Sequence, residues 1–474
     1  MPEWTTKQRY MPYASYSQEY QTQLIQAQRT SQYHLSYHIQ PESGLLNDPN
    51  GFSFFNGKWQ LFYQNFPYGA VHGLKSWQHV TSSDLTHWSA PSLALQPHAP
   101  YTTNGVYSGS ALPIGDRLFL MYTGNVRGED GTRKSTQLGA WMAADGTITE
   151  LDQPLIAEPP AGYTAHFRDP QIVHVDDQYY AVIGAQRQDL VGEILVYQAP
   201  QPEGPWSLIG PLDWQQGDLG YMMECPNIAF VDGKVVILFC PQGLARSRFN
   251  YQNIYPNTYV IADAIDWTSG RLVNPGQLQT VDAGFDSYAT QVVNGPDAQA
   301  YAVSWMGLPE IGYPTDAEGW QGCLSLIKRL TIKDNQLYQE PIVQSLLGNH
   351  FEPLHDTLKL QEVLRFDLET DTTGEIRLGN ADEALQLNWT ADTLTVDRTQ
   401  AGIAFGETYG TTRTITWSKG SHQLELYLDH STFELFVDGG QQVLSGRIFP
   451  RQKQAWTVSA PEQVRVTGQR LKTM

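Results

Sequence analysis

A chain of 474 residues is longer than one hydrophobic core usually organises, which predicts a large domain accompanied by a smaller one. With 17% charged and 12% aromatic residues, 41 Gly and 28 Pro, the composition suits many short strands joined by tight turns and predicts an all-β protein. A formal net charge of −19 argues against nucleic acid and anionic membrane as partners, because both require clustered Lys and Arg, so an anionic ligand would need a local basic pocket.

The first thirty residues carry Glu3, Glu19 and many Gln and have no apolar core of signal-peptide length, and no later stretch is long enough to span a bilayer. The three cysteines, Cys225, Cys240 and Cys323, are an odd and sparse set that fits a reducing compartment. A cytoplasmic protein is expected. Residues 15–33, with Tyr16, Tyr20, Leu24 and Ala27 at helical spacing, predict an amphipathic helix lying outside the main domain.

From residue 47 to about 310 one pattern recurs: a polar start, an apolar strand, a turn and a second apolar strand. The copies open at Asp48, Ser108, Asp169, Glu224 and Tyr288, separated by 60, 61, 55 and 64 residues. The first turns at Asn56-Gly57 and the fourth at Asp232-Gly233, strong hairpin signals, and Gly57 and Gly233 each fall 9 residues after the opening carboxylate. About sixty residues allow a four-stranded blade, so the repeat predicts a five-bladed β-propeller. From about residue 350 the pattern changes to shorter alternating strands at 375–378, 385–387, 424–428 and 433–437, with a turn at Asp438-Gly439, which predicts a β-sandwich. The expected organisation is an N-terminal helical extension over 1–40, the five-bladed propeller over 41–345 and the C-terminal β-sandwich over 350–474.

Equivalent strand starts in a propeller face one end of the central channel, so Asp48, Asp169 and Glu224 are expected to converge. An Asp in a turn before a strand is ordinarily a turn former, and no one of these residues carries the argument alone. Three carboxylates beside Asn47 and Arg168 are a concentration of charge that structure by itself would avoid. Hydrolysis of an acetal needs a proton for the leaving oxygen and electron density at the carbon that becomes cationic, which paired carboxyl groups supply. No metal or organic cofactor is expected: there is no phosphate-cradling Gly-Lys-Ser/Thr loop and no close pair of Cys or His with ligand spacing. His34 and His38, four apart, suit a polar or capping role better than ligation.

These residues resemble glycoside hydrolase family 32, the invertase and fructanase family. Asn47-Asp48-Pro49-Asn50-Gly51 is similar to its nucleophile motif, Arg168-Asp169-Pro170 to its arginine-aspartate-proline motif and Glu224-Cys225-Pro226 to its acid/base motif. The likeness extends through Ser82-Ser83-Asp84-Leu85-Thr86-His87-Trp88 to Arg447-Ile448-Phe449-Pro450. It implies a β-fructosidase of the same propeller-and-sandwich build, with Asp48 attacking the fructosyl anomeric carbon, Glu224 protonating the leaving oxygen and Asp169 stabilising the transition state. Asn47, Gln64, Tyr107, Ser108, Arg168, Tyr288 and Trp305 match fructose-pocket positions, Tyr288 and Trp305 being equally readable as core. By the same match Cys225 would tune or orient Glu224, although a buried, inert thiol fits as well.

The family often has Trp where this chain has His72, and Leu326-Ile327-Lys328-Arg329-Leu330 stands where many extracellular members have a proline-arginine-glutamate run. Both departures, with Gly410-Thr411-Thr412-Arg413, are similar to the branch that hydrolyses sucrose 6-phosphate in the cytoplasm. The expected partner is then a small sugar, and Lys75, placed near the pocket rim, is a candidate for its phosphate, against the plainer reading of a solvated lysine. Alternatives stay open: a β-fructosidase for free sucrose and short fructo-oligosaccharides, fructosyl transfer through the same intermediate, and a non-catalytic glycan-binding propeller. Oligomeric state is not set by the residues.

Overall fold

The computed structural model describes residues 4–471 apart from 215, 216, 218, 348–350, 354–357, 359, 372 and 453–455. The class is all-β, as composition predicts. The expected helix is present as Gln18–Thr30, preceded by a short turn of helix at Thr6–Arg9. Tyr16 and Tyr20 lay it against Phe66 and Tyr68, with Tyr16 stacked on Tyr68 at 3.9 Å between centroids.

Five antiparallel sheets follow in chain order. Their leading strands are Gly44–Phe55, Val106–Ile114, Tyr163–Val175, Met222–Val231 and Tyr288–Asn294, and each hairpins directly to a second strand. At Asn56-Gly57 and Asp232-Gly233 both residues take positive φ (50 and 73°, 48 and 78°), the mirror-image turn whose twist matches the flanking strands. Successive leading strands are tied by one recurring bond. The Gly109 amide donates to Asn50 Oδ1 (2.8 Å), Ile172 to Ser110 Oγ (2.9 Å), Ile228 to Gln171 Oε1 (2.5 Å) and Val292 to Asn227 Oδ1 (3.2 Å). The Phe52 amide then donates to Gln291 Oε1 (2.7 Å), joining the fifth leading strand to the first. All five accepting side chains are buried, so each satisfies an amide that water cannot reach. Trp320–Gln321 adds a parallel pairing to Gly44 and Leu45, a second tie between the ends of this region.

The pairing corrects one element of the repeat. In the first leading strand the register slips twice, between Leu46 and Pro49 and between Asn50 and Ser53, whereas the fourth slips once, between Glu224 and Asn227. The shared spacing of 9 residues to Gly57 and Gly233 therefore spans different numbers of bulges. Aligned on the bulge prolines Pro49, Pro170 and Pro226, Cys225 is the counterpart of Asp48 and Asp169, and Glu224 is the counterpart of Asn47 and Arg168. Pro170 and Pro226 fit there because the bulge leaves their positions without a ladder partner, whereas Pro49 closes its bulge opposite Tyr63.

Apart from a two-stranded sheet of Ala264–Asp266 and Arg271–Val273, the remaining strands form a six-stranded and a five-stranded sheet that share one core, with Leu364, Phe366, Leu424, Leu426 and Leu435 facing Leu378, Leu385, Leu387 and Leu394. The four short strands expected from alternation lie within Gly374–Gly379, Ala384–Trp389, Ser421–Asp429 and Thr432–Val437. The positions 350 and 474, expected to bound this region, lie outside the described residues, as does residue 1. Among the described residues no helix is long and apolar enough to cross a membrane.

A buried ionic cluster joins the two strand-rich regions. His38 Nδ1 meets Asp429 Oδ2 (2.9 Å) and Nε2 meets Glu434 Oε1 (3.0 Å), while Lys328 Nζ pairs with Glu434 Oε2 (3.1 Å). Lys328, in the run that departs from the extracellular pattern, thus has a structural partner. Asp429 also accepts the Ser36, Tyr37 and His38 amides. Burial alone would lower the His38 pKa, but the two carboxylates raise it from 6.5 to about 9. Because the folded value exceeds the unfolded one, this contribution is complete below about pH 6.5 and is lost as pH rises through about 9. We expect His38→Gln to cost about 3 kcal/mol at pH 6 and distinctly less at pH 10, read from urea unfolding midpoints. An equal loss at both pH values would mean that the proton contributes nothing.

Candidate active site

The bulges that open the third and fourth leading strands set the geometry of the pocket. Asp169 and Cys225 have φ of 64 and 50°, in the left-handed region that side chains enter only at a cost of about 1 kcal/mol or more. The reversal turns Arg168 and Glu224 toward each other across neighbouring sheets. Arg168 Nε and Nη2 donate to Glu224 Oε1 (3.2 and 2.7 Å), and Arg168 Nε lies 3.8 Å from Asp169 Oδ2. Gln242 Nε2 (2.7 Å) and the Tyr288 hydroxyl (2.6 Å) donate to Glu224 Oε2.

Asp48 sits opposite, at the end of a polarised chain. Lys75 Nζ donates to Asn47 Oδ1, Asn47 Nδ2 donates to Gln64 Oε1 (3.1 Å), Gln64 Nε2 to Ser108 Oγ (2.5 Å), and Ser108 Oγ to Asp48 Oδ2 (2.5 Å). Asn47 Nδ2 also reaches Asp48 Oδ1 (3.0 Å) and Gln64 Nε2 reaches Oδ2 (3.4 Å). Every neighbour donates and none needs a proton from Asp48, an arrangement that suits the ionised carboxylate. Burial nonetheless raises its pKa from 3.8, against the opposing pull of Lys75, Ser108 and Asn47. Asp169 feels the charge of both other acids, its pKa is also raised by burial despite Arg168, and it accepts the Cys225 amide (3.1 Å).

The structure therefore brings Asp48, Asp169 and Glu224 together, along with Asn47, Gln64, Ser108, Arg168, Cys225 and Tyr288. Tyr107 holds Trp77 Nε1 by its carbonyl (3.1 Å) while its phenol sits beside Tyr10 and Arg127. Tyr288 and Trp305 are both pocket and core: they share one apolar cluster, Tyr288 touches Glu224, and Trp305 meets the His72 ring edge-on at 6.0 Å. His72 is exposed as a residue while its ring packs against Trp305 and Lys75, and desolvation of that ring, with Lys75 and Arg9, holds its pKa well below 6.5.

Two expectations change. The Cys225 thiol lies 3.7 Å from Asp169 Oδ2 and 3.9 Å from Asp48 Oδ2, directed at those acids instead of the Glu224 carboxylate, because the positive φ sends consecutive side chains apart. Burial and the two acids keep the thiol protonated. Lys75 is neither at the rim nor solvated: it is 3% exposed, its ammonium committed to Asn47 and to His72 Nδ1 (2.9 Å). Burial lowers its pKa to about 7, with Asp48 pulling the other way. Sequence reasoning missed Gln242, although Gln64 and Gln242 both lie within the last three residues of second strands and both face a carboxylate. It also missed Thr123, whose Oγ1 accepts the Asp169 amide (3.0 Å), and His166 and Arg133, which adjoin Arg168.

Residues 38–341 match the glycosyl hydrolases family 32 N-terminal domain and residues 341–467 the family 32 C-terminal domain. A sucrose-6-phosphate hydrolase of Pediococcus pentosaceus is 46% identical over 462 residues, covering 94% of this chain and 92% of that protein. One from Lactococcus lactis subsp. lactis is 43% identical, covering 95 and 96%. The structure of a sucrose-6-phosphate hydrolase from Lactobacillus gasseri superimposes with a TM-score of 0.95 at 39% identity, covering 100 and 99% of the two chains. A Bombyx mori GH32 beta-fructofuranosidase does so with a TM-score of 0.83 at 29% identity, covering 97 and 99%.

The position of Lys75 makes its charge a counterweight to the burial of Asp48. Lys75→Met is expected to move the Asp48 titration to higher pH, followed by infrared difference spectroscopy of the carboxyl stretch. An unchanged titration would remove Lys75 from this role.

Proposed function

The chain belongs to glycosyl hydrolase family 32, and from that membership and the pocket geometry we propose that it is a retaining β-fructosidase hydrolysing sucrose 6-phosphate, and also sucrose. The products from sucrose 6-phosphate are fructose and glucose 6-phosphate. In this reading the five sheets are the blades of a propeller over 41–345, flanked by the helical extension over 1–40 and a β-sandwich over 350–474. The side-chain-to-amide bonds that run through the leading strands and back to the first support that architecture. A substrate phosphorylated on uptake and three free, buried cysteines support a cytoplasmic location.

The observation that carries the reading is the division of labour among the acids. Asp48 receives donors from every side and serves as nucleophile, while Glu224, oriented by Arg168, Gln242 and Tyr288, serves as acid and then base. An Asp48 oxygen attacks the fructosyl anomeric carbon as the bond to the glucosyl oxygen breaks, and Glu224 gives that oxygen its proton. The resulting fructosyl ester is attacked by water, from which Glu224 takes a proton, releasing fructose with retained configuration and restoring both groups. Asp169 accepts hydroxyl groups of the fructosyl ring and spreads the cationic charge of the transition state. Asn47, Gln64, Ser108, Tyr107, Arg168, Cys225, Tyr288, Trp305 and His72 line the sugar pocket. Of the Glu224 partners Arg168 can only donate, whereas the Tyr288 hydroxyl can rotate to accept and so can face a protonated Oε2.

The deciding experiment compares kcat/KM for sucrose 6-phosphate, sucrose, kestose and inulin on purified protein, with sucrose 6-phosphate expected to lead. Equal or better turnover of sucrose or kestose would remove the phosphate from the assignment. Glu224→Gln should lower kcat by about 10²–10⁴-fold, and Asp48→Asn should abolish turnover while sucrose still binds. A proton NMR time course should show the β-anomer of fructose first.

A further inference from the structure

On the far side of Glu224 from Asp48 the pocket edge carries positive charge that the hydrolytic chemistry does not use. Arg168 Nη1 points away from Glu224 to His166 Nδ1 (3.1 Å), and Arg133 Nη1 reaches the same ring nitrogen (2.9 Å). Two guanidinium donors on one nitrogen require that it carry a lone pair, so the imidazole is neutral with its proton on Nε2. Burial, Arg168 and Arg133 agree, lowering the His166 pKa to about 4. A neutral acceptor thus holds two cations together and balances neither.

Arg127 stands directly opposite Arg133 in the antiparallel pair that ends there, with the Tyr107 phenol beside it. Like charges facing each other across a ladder destabilise it, and the fold gains nothing from them at this place. Arg168 is compensated by Glu224 and Asp169. For Arg127 and Arg133 no Asp or Glu comes within ion-pair distance among the described residues, and apart from desolvation the groups acting on them are the Tyr107 and Tyr10 phenols and neighbouring guanidinium groups, Arg168 foremost for Arg133. In a chain of net charge −19 this is an unpaired basic cluster beside a site of three acids. Arg133, His166 and Tyr107 are half-buried and Arg127 is exposed, so a ligand entering the pocket can reach them.

The proton donated by Glu224 goes to the oxygen that the leaving sugar takes with it, so that sugar must start within hydrogen-bond reach of Glu224. Its outer substituents then extend over the edge where Arg168 hands on to His166 and Arg133. A phosphate dianion demands several charge-assisted donors, which forked guanidinium groups supply better than a single ammonium. Lys75 is excluded by position, being buried beside Asp48 with its donors engaged. We propose that Arg133 and Arg127, with His166 Nε2–H and the Tyr107 hydroxyl, form the subsite that receives the phosphate of the departing sugar. This rests on the reading of the chain as a sucrose-6-phosphate hydrolase, and it assigns discrimination between phosphorylated and free substrate to the second and third sheets.

The test is substrate-resolved kinetics on Arg133→Met and Arg127→Gln. Arg133→Met should lower kcat/KM for sucrose 6-phosphate by about 10- to 100-fold, the size of a lost charge-assisted contact, and that for sucrose by no more than about threefold. Equal losses on both substrates would mean that Arg133 merely positions Arg168 and Glu224 and would overturn the proposal, as would no loss on sucrose 6-phosphate. Arg127→Gln, at an exposed position that folding tolerates, should show the same selectivity at about fivefold or more, and its absence counts equally against the subsite. Glucose 6-phosphate as inhibitor of sucrose hydrolysis separates this proposal from the substrate assignment. It should inhibit more tightly than glucose, and Arg133→Met should erase that difference even if the wild-type protein turned over both sucrose forms alike. Equal inhibition by the two sugars in the wild-type protein would remove the subsite.

Discussion

The chain of side-chain-to-amide bonds through Asn50, Ser110, Gln171, Asn227 and Gln291 is the constraint on which the rest of this structure depends. Leading strands from separate sheets have no ladder in common, so their buried amides need partners from elsewhere. A polar side chain from the preceding strand supplies each one, and in doing so fixes the height of one strand start against the next. The bulges next to these bonds do the aiming. Positive φ at Asp169, Cys225 and Ala289 presents the preceding residues, Arg168, Glu224 and Tyr288, as one interacting group. Backbone strain of about 1–3 kcal/mol at each such residue is tolerated because the paired hairpins on either side hold it in place.

That scaffold lets a strongly acidic chain concentrate three more acids in one pocket. The acids are kept apart in chemical character by their neighbours: Asp48 by amides, a hydroxyl and a buried lysine, Glu224 by a guanidinium and a phenol, Asp169 by a backbone amide and the adjacent arginine. Burial raises the proton affinity of Asp48 and Asp169, and the nearby cations oppose it. The pocket thus works against its own electrostatics, which is why cations without a partner at its edge are informative.

The C-terminal sheets contribute no side chain to this pocket among the contacts described, yet they are joined tightly to the region that does. Glu434 collects His38, Lys328 and the Leu326 amide, Asp286 binds Arg398 and the Arg447 amide, and Arg413 reaches Asn253 and the Gly284 carbonyl. Arg413 belongs to the run that marks this branch by resemblance, and its place in the interface makes it a structural residue. The segments tied down here lead directly into the first and fifth leading strands, so the interface braces the two strands that the Phe52–Gln291 bond joins.

By itself the sequence determined the all-β class and the hairpins, because turn chemistry and apolar alternation are local and Asn56-Gly57 or Asp232-Gly233 signals itself without its surroundings, while the recurring strand starts singled out three acids that meet in one pocket. Pro49, Pro170 and Pro226 even marked the bulges. The tertiary structure alone decided which face each side chain took. Counting residues placed Glu224 level with Asp48, but one strand slips twice and the other once, and a single slip reverses a side chain's direction. It decided too that Lys75 lies beneath the pocket and that Cys225 faces Asp48, and it brought His166, Arg133 and Arg127 beside Arg168. Those contacts join residues from different turns and strands, and no spacing along the chain encodes the distance between them.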